Sequence, residues 1–131
     1  MKLYNAMSPN GSRVSVFLAE KALEIPTQAV DLRGGENLKA PFLAINSLGQ
    51  VPVLELDDGS HVCESLAICR YLESLHPEPA LFGASAKEQA IVEMWTRRIE
   101  LWLFNVVGDI AQHEFAFFKE RVEQNADFAA A

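Results

Sequence analysis

The chain has 131 residues, half of them hydrophobic, and a formal net charge of −7. That length holds one domain with a real core, or a domain plus part of another, and the apolar content excludes a disordered chain. The negative balance argues against nucleic acid and anionic membrane as partners of the surface as a whole, and no apolar run reaches the roughly 18 residues of a membrane span.

Charge is spread evenly: residues 1–83 carry 6 basic and 10 acidic side chains and residues 84–131 carry 5 and 8, so there is no charged tail to interpret. Two cysteines cannot make a disulfide framework, and Cys63, just before a predicted helix, and Cys69, inside it, are poorly placed to pair; His61, His76 and His113 are scattered without zinc-ligand spacing, so no metal is expected. Met1-Lys2-Leu3-Tyr4-Asn5 lacks the apolar stretch of a secretory leader. With the unpaired cysteines, this predicts a cytoplasmic protein.

In chain order, Lys2 to Asn5 reads as a strand. Ser8-Pro9-Asn10-Gly11 is turn chemistry, and Ser12 is placed to cap the next helix, with Val14, Phe17, Leu18, Ala22 and Ile25 on one face and Pro26 closing it. Thr27 to Leu32 predicts a second strand, broken by Gly34-Gly35, and a short irregular helix covers Glu36 to Ala44. Val51 to Leu56 and Ser60 to Cys63 flank Asp58-Gly59, a hairpin signal. Ile68, Tyr71, Leu72 and Leu75 make an amphipathic helix from about Glu64 to His76. The order β-α-β-α-β-β-α predicts a thioredoxin-like sheet whose first strands run parallel and whose last two form an antiparallel hairpin.

Pro77 to Gly83 reads as a linker, and from about Ser85 the chain turns all-helical. Ile91, Trp95, Ile99, Trp102, Val106 and Ile110 run along one long helix from Glu88 to Asp109, with Val92, Met94, Leu103 and Val107 beside them. The stripe is wider than one packed face needs, so it is expected to meet the first domain and either further helices or a second subunit. A last helix is predicted over Gln112 to Asn125, before Ala129-Ala130-Ala131. The expected domains are therefore residues 1–80 and residues 85–131.

Pro52 is out of place in the apolar, β-branched run Val51-Pro52-Val53-Leu54, because proline removes a ladder donor. It belongs at a strand's first residue, on an edge, or in a cis turn. Backbone groups freed there can pair with an extended peptide, and the helix start at Glu64-Ser65 suits a carboxylate. Together they suggest a site for a small peptide with a charged end.

Asn46-Ser47-Leu48-Gly49-Gln50-Val51-Pro52-Val53-Leu54, then Glu64-Ser65-Leu66-Ala67-Ile68 leading to Arg70-Tyr71-Leu72-Glu73, resembles the glutathione transferases. Ser8-Pro9 followed by Arg13-Val14, and Phe17-Leu18-Ala19-Glu20-Lys21, extend the resemblance, which covers residues 1 to about 110. It implies a thioredoxin-like glutathione domain, a helical second domain and usually a homodimer. Members of that family continue well past 131 residues, so the helical domain is expected to be incomplete here. Carried over by position, Val51 would pair its backbone with the cysteinyl part of glutathione beside a cis Pro52. Glu64 would receive the γ-glutamyl ammonium, Ser65 and its helix start the carboxylate, and Lys39 the glycyl carboxylate, with Gln50 lining the groove.

A thiol of ordinary pKa near 8.5 is mostly protonated at neutral pH, and only the thiolate attacks. A hydroxyl and a helix N-terminus aimed at sulfur both stabilise it. The resemblance gives that part to Ser8, with Ser12 and Asn10 as neighbours able to substitute. Met94-Trp95-Thr96-Arg97-Arg98 resembles a bacterial and fungal subgroup that uses a held water instead, near the position of His113, although no serine follows His113 to accompany it. The implied reaction joins the thiolate to a small apolar electrophile, with glutathione as co-substrate and no permanently bound cofactor. Isomerisation, dehalogenation, peroxide reduction, a non-catalytic glutathione-binding module and an inactive fragment are the alternatives. The absence of cysteine from Ser8 to Arg13 counts against disulfide chemistry.

Each of these residues also has an ordinary structural role. Ser8-Pro9-Asn10-Gly11 suffices as a turn, Glu64 and Ser65 as helix caps, Lys39 as a solvated charge and His113 as a helix-end histidine. Cys63 suits a small buried hydrophobe, and Trp95 and Trp102 suit a core.

Overall fold

The computed structural model describes residues 1–119 and 121–125. The chain divides into two compact units, Met1–Leu81 and Phe82–Ala131. The first contains strand β1 (Lys2–Asn5), helix α1 (Pro9–Glu20), β2 (Thr27–Ala29), a 3-10 turn (Glu36–Leu38), α2 (Ala40–Leu43), β3 (Val53–Glu55), β4 (His61–Cys63) and α3 (Ser65–Leu75). The sheet runs β2-β1-β3-β4, with β1 and β2 parallel and the β1–β3 and β3–β4 pairs antiparallel. The predicted element order and mixed thioredoxin-like sheet are both present.

Strand alternation divides the core between the sheet's faces. Leu3 and Leu54 are fully buried, as are Val14 of α1 and Ile68, Cys69 and Leu72 of α3, and those two helices pack on each other. On the opposite parity, Tyr4, Val51 and Val53 cluster with Val30 and Phe42, and the Tyr4 and Phe42 rings meet edge-on at 6.3 Å.

Three sequence expectations in this unit are corrected. The α1 helix is capped by Ser8, not Ser12: the Ser8 hydroxyl accepts the Gly11 N–H at 3.0 Å and Pro9 takes the first helical position, where its missing N–H costs nothing. The same helix ends at Glu20, well before Pro26. Ala22 turns left-handed at φ 51°, the Leu23 N–H bonds to the Leu18 carbonyl at 2.9 Å and the Ala22 N–H to that of Ala19 at 3.0 Å, so Ala22 and Ile25 lie off the helix. The second strand has three residues rather than six.

Lys21, at the end of α1, is buried, with its ammonium 2.5 Å from the Glu73 carboxylate and donating to the His76 carbonyl at 2.7 Å and the Pro79 carbonyl at 2.5 Å. It ties α1 to the end of α3.

The second unit opens at α4 (Ala86–Ile99), whose capping box is closed by Ser85 and Glu88. A π-helical turn (Glu100–Phe104) joins it to α5 (Asn105–Glu114), so the predicted long helix is interrupted. The predicted stripe is exposed, Trp102 by 80%. The expected last helix over Gln112 to Asn125 is replaced by a 3-10 turn (Ala116–Phe118). Phe115 is extended at φ −86°, and the Gln124 side chain donates to the Gln112 and Phe115 carbonyls at 2.9 Å each, serving acceptors that a continuing helix would use. Ala129-Ala130-Ala131 lie outside the described residues. No helix among the described residues is long and apolar enough to cross a membrane.

Gly11 sits where β1 hands over to α1. A Cβ there would lie 2.2 Å from the Ala6 carbonyl oxygen and 2.4 Å from the Asn5 amide oxygen. Gly11→Ala is therefore expected to destabilise the chain by about 1–3 kcal/mol, despite alanine's better helix propensity. Urea unfolding checks this, and an unchanged or raised midpoint would contradict the close approach.

Candidate functional site

Strand register gathers three segments at one end of the sheet. Tyr4 pairs with Val53, and Val53 with Cys63. Beyond these pairs the chain runs on from Asn5 into the β1–α1 loop, back from Val53 to Val51, and on from Cys63 to Ser65. The β1–α1 loop, the approach to β3 and the start of α3 thus share one edge of the first unit. The Val51–Pro52 peptide is cis, and strand pairing begins only at Val53.

Two buried asparagines hold the approach to β3. Asn46 donates its side-chain amide to the Gln50 carbonyl at 2.8 Å, while its side-chain oxygen accepts the Leu48 N–H at 3.2 Å. Asn37 donates to the Gly49 carbonyl at 2.6 Å. Gly49 adopts φ 62°, and a Cβ on it would stand 2.9 Å from the Asn37 carbonyl oxygen, so only glycine fits without strain. With the Gly49 and Gln50 carbonyls engaged, the turn delivers Val51 in one orientation.

At the start of α3, Glu64 is exposed and takes φ 69°, an uncommon backbone for a side chain of its size, whereas Ser65 is 5% exposed. Arg13 reaches across from the first turn of α1 and donates to the Ser65 hydroxyl at 2.6 Å and to the Asn10 side-chain oxygen at 3.2 Å. Ser8 is half-buried in the adjoining loop, its oxygen accepting from Gly11 and its own proton left to donate. Asn5, buried beneath, accepts the Ala6 N–H at 2.9 Å and donates to the Gly11 carbonyl and Ser15 hydroxyl at 3.2 Å each.

Ser8, Val51, Pro52, Glu64 and Ser65 thus belong to segments that register and hydrogen bonds bring together. Gln50 is exposed on the same loop, and Lys39 is exposed at the N-cap of α2. Ser12 is exposed in the first turn of α1, and Asn10 is engaged with Arg13. His113 lies in the other unit, in the last turn of α5, where its Nδ1 accepts the Asn125 N–H at 3.1 Å.

The chain as a whole matches one family. The model for "Glutathione S-transferase, N-terminal domain" matches residues 7–75, more than half of the chain. The chain belongs to the glutathione S-transferase family. Glutathione S-transferase 2 of Saccharomyces cerevisiae is 40% identical over 107 residues, 80% of this chain and 46% of the yeast protein. A maleylacetoacetate isomerase of Pseudomonas aeruginosa is 39% identical over 93 residues, 69% of this chain and 44% of its own length. Among solved structures, a glutathione S-transferase domain-containing protein of Marinobacter aquaeolei superposes with a TM-score of 0.90 at 37% identity, covering 99% of this chain and 66% of that one. The chain spans about half the length of the curated glutathione S-transferase relatives it matches.

Sequence reasoning gave no site role to Arg13, Asn5, Asn37 or Asn46. Asn46 and Arg13 stood within the segments that carry the resemblance, but a partner 52 residues away is invisible in a linear pattern. Asn37 left no signal beyond being polar near a predicted short helix.

Both thiols here are held protonated. Burial pushes the Cys63 thiol up, with the Glu64 charge adding to it, and burial raises Cys69 from 9.0 to about 11 against an opposing pull from Arg13. Cys69 is 2% exposed, so a small alkylating reagent at neutral pH is expected to label Cys63 first and Cys69 only on unfolding. Because the folded pKa of Cys69 is raised, the protonated thiol's contribution to stability is intact below pH 9.0 and is lost as pH rises through about 11. Mass spectrometry of labelled peptides and urea midpoints across the alkaline range check both statements. Rapid native labelling of Cys69 would contradict its burial.

Proposed function

We propose that this chain binds glutathione at the shared edge of the sheet and presents its thiolate to an electrophilic carbon of a small apolar substrate. The observation carrying this reading is the Arg13–Ser65 bond, which joins the Ser8 loop to the α3 start beside Val51. Glutathione has two carboxylates, one ammonium and a peptide backbone, and the segments supply a complement for each. The Val51 backbone pairs with the cysteinyl unit, Glu64 receives the ammonium, and Ser65 with the α3 N-terminus receives the γ-glutamyl carboxylate. Lys39 reaches the glycyl carboxylate and Gln50 lines the groove.

Ser8 donates its remaining proton to the thiolate while its oxygen caps α1. A hydroxyl held by a helix turn is oriented in advance, which supports Ser8 over a water held near His113, whose Nδ1 is already engaged. The reaction uses no permanently bound cofactor: the sulfur supplies the electron pair, and the substrate's leaving group or acceptor carbon takes it. We expect a cytoplasmic homodimer.

A second reading keeps the site and changes the chemistry. Three maleylacetoacetate isomerases are among the relatives, so a reversible addition in which the thiolate joins and later leaves the substrate is supported too. A glutathione-binding module without turnover, or an inactive fragment, is the reading left if binding occurs and neither chemistry does.

Calorimetry with millimolar glutathione is expected to give a saturable heat, and no heat would end all the glutathione readings except the inactive fragment. Ser8→Ala is expected to move the ultraviolet titration of the bound thiolate to higher pH and to slow turnover of a chromogenic aryl halide by about 10- to 100-fold. An unchanged rate would remove Ser8 from the mechanism.

A further inference from the structure

We infer that Arg13 is a positioning residue for the γ-glutamyl carboxylate, setting which way the Ser65 hydroxyl points its proton; the inference rests on the glutathione reading above. Arg13 donates to the Ser65 oxygen at 2.6 Å, short enough for a charge-assisted bond. A guanidinium has no acceptor, so Ser65 is the acceptor in that contact and keeps its own proton for another group. The residue is 5% exposed, yet no acceptor for that proton is present among the described residues. Ser65 is the first residue of α3, and the first-turn backbone N–H groups of a helix have no helical acceptor and donate as well.

A hydroxyl that accepts from a cation at a helix N-terminus presents its proton to an incoming anion. Asn10 limits the swing of the guanidinium by accepting from the same nitrogen at 3.2 Å. The Arg13 charge strengthens the anion preference of the pocket without touching the ligand. Because Arg13 stands five residues after Ser8 on the helix that Ser8 caps, one side chain also fixes the distance between the thiol end and the γ-glutamyl end of the site.

The test is calorimetry on the full chain and on Arg13→Ala with two tripeptides, glutathione and 4-aminobutanoyl-cysteinyl-glycine, which lacks only the γ-glutamyl carboxylate. Arg13→Ala is expected to weaken glutathione about 10- to 100-fold, the loss of one charge-assisted bond, and to leave the decarboxylated peptide unchanged. The thiolate titration of bound glutathione should stay where it is. Arg13→Lys keeps the charge without the fork, and its discrimination between the two peptides should fall between those of the parent and the alanine variant, which keeps the test available if alanine does not fold. Equal weakening of both peptides would mean a purely structural role and would overturn the inference. So would glutathione affinity unchanged in either variant. A parent chain that binds neither peptide would overturn the glutathione reading itself, and this inference with it.

Discussion

Strand β1 is hydrogen-bonded along both edges, parallel to β2 and antiparallel to β3, and the geometry of the first unit descends from that pairing. Side chains alternate along a strand, so the register that pairs Leu3 with Leu54 and Tyr4 with Val53 also decides which residues meet α1 and α3 and which meet α2. A slip of one residue would send Tyr4 into the leucine face and Leu3 out of it, exchanging two buried sets at once. The same pairing brings the end of β1, the start of β3 and the end of β4 to one end of the sheet, so the core and the location of the candidate site follow from one alignment.

Buried polar side chains finish what the strands begin. A turn that leaves backbone groups unpaired away from water costs about 1–3 kcal/mol for each one. Asn5, Asn37 and Asn46 each serve such a group: the Gly11, Gly49 and Gln50 carbonyls accept from their amides. These bonds give non-repetitive segments the backbone partners that a ladder gives a strand. Glu64 carries the opposite kind of constraint, a positive φ maintained by the β4 ladder on one side and α3 on the other. Strain of that sort is tolerated where the surroundings over-determine the backbone, as they do at this edge.

The second unit obeys other rules. Its helices are set by a capping box and by apolar side chains on several faces, and Trp95, Ile99, Leu101, Trp102 and Leu103 are all exposed. Apolar surface on this scale is more than a lone soluble domain usually exposes. The π-helical turn at Glu100–Phe104 has i→i+5 spacing, so the residues after it fall out of step with the regular helical spacing assumed for the stripe.

From the sequence alone came the order of elements, the hairpin at Asp58-Gly59, the odd position of Pro52 and the polar start at Glu64-Ser65. All of these rest on local periodicity, turn chemistry or resemblance, which a linear reading carries. Helix ends were less legible: the cap moved from Ser12 to Ser8, and Ala22 stopped the helix through backbone hydrogen bonds that no propensity signals. Only the tertiary structure decided that Arg13 meets Ser65, that Asn37 holds Gly49 and that Lys21 closes the end of α3. Those contacts join residues far apart in the chain, and their geometry exists only once the sheet's register has brought their elements together.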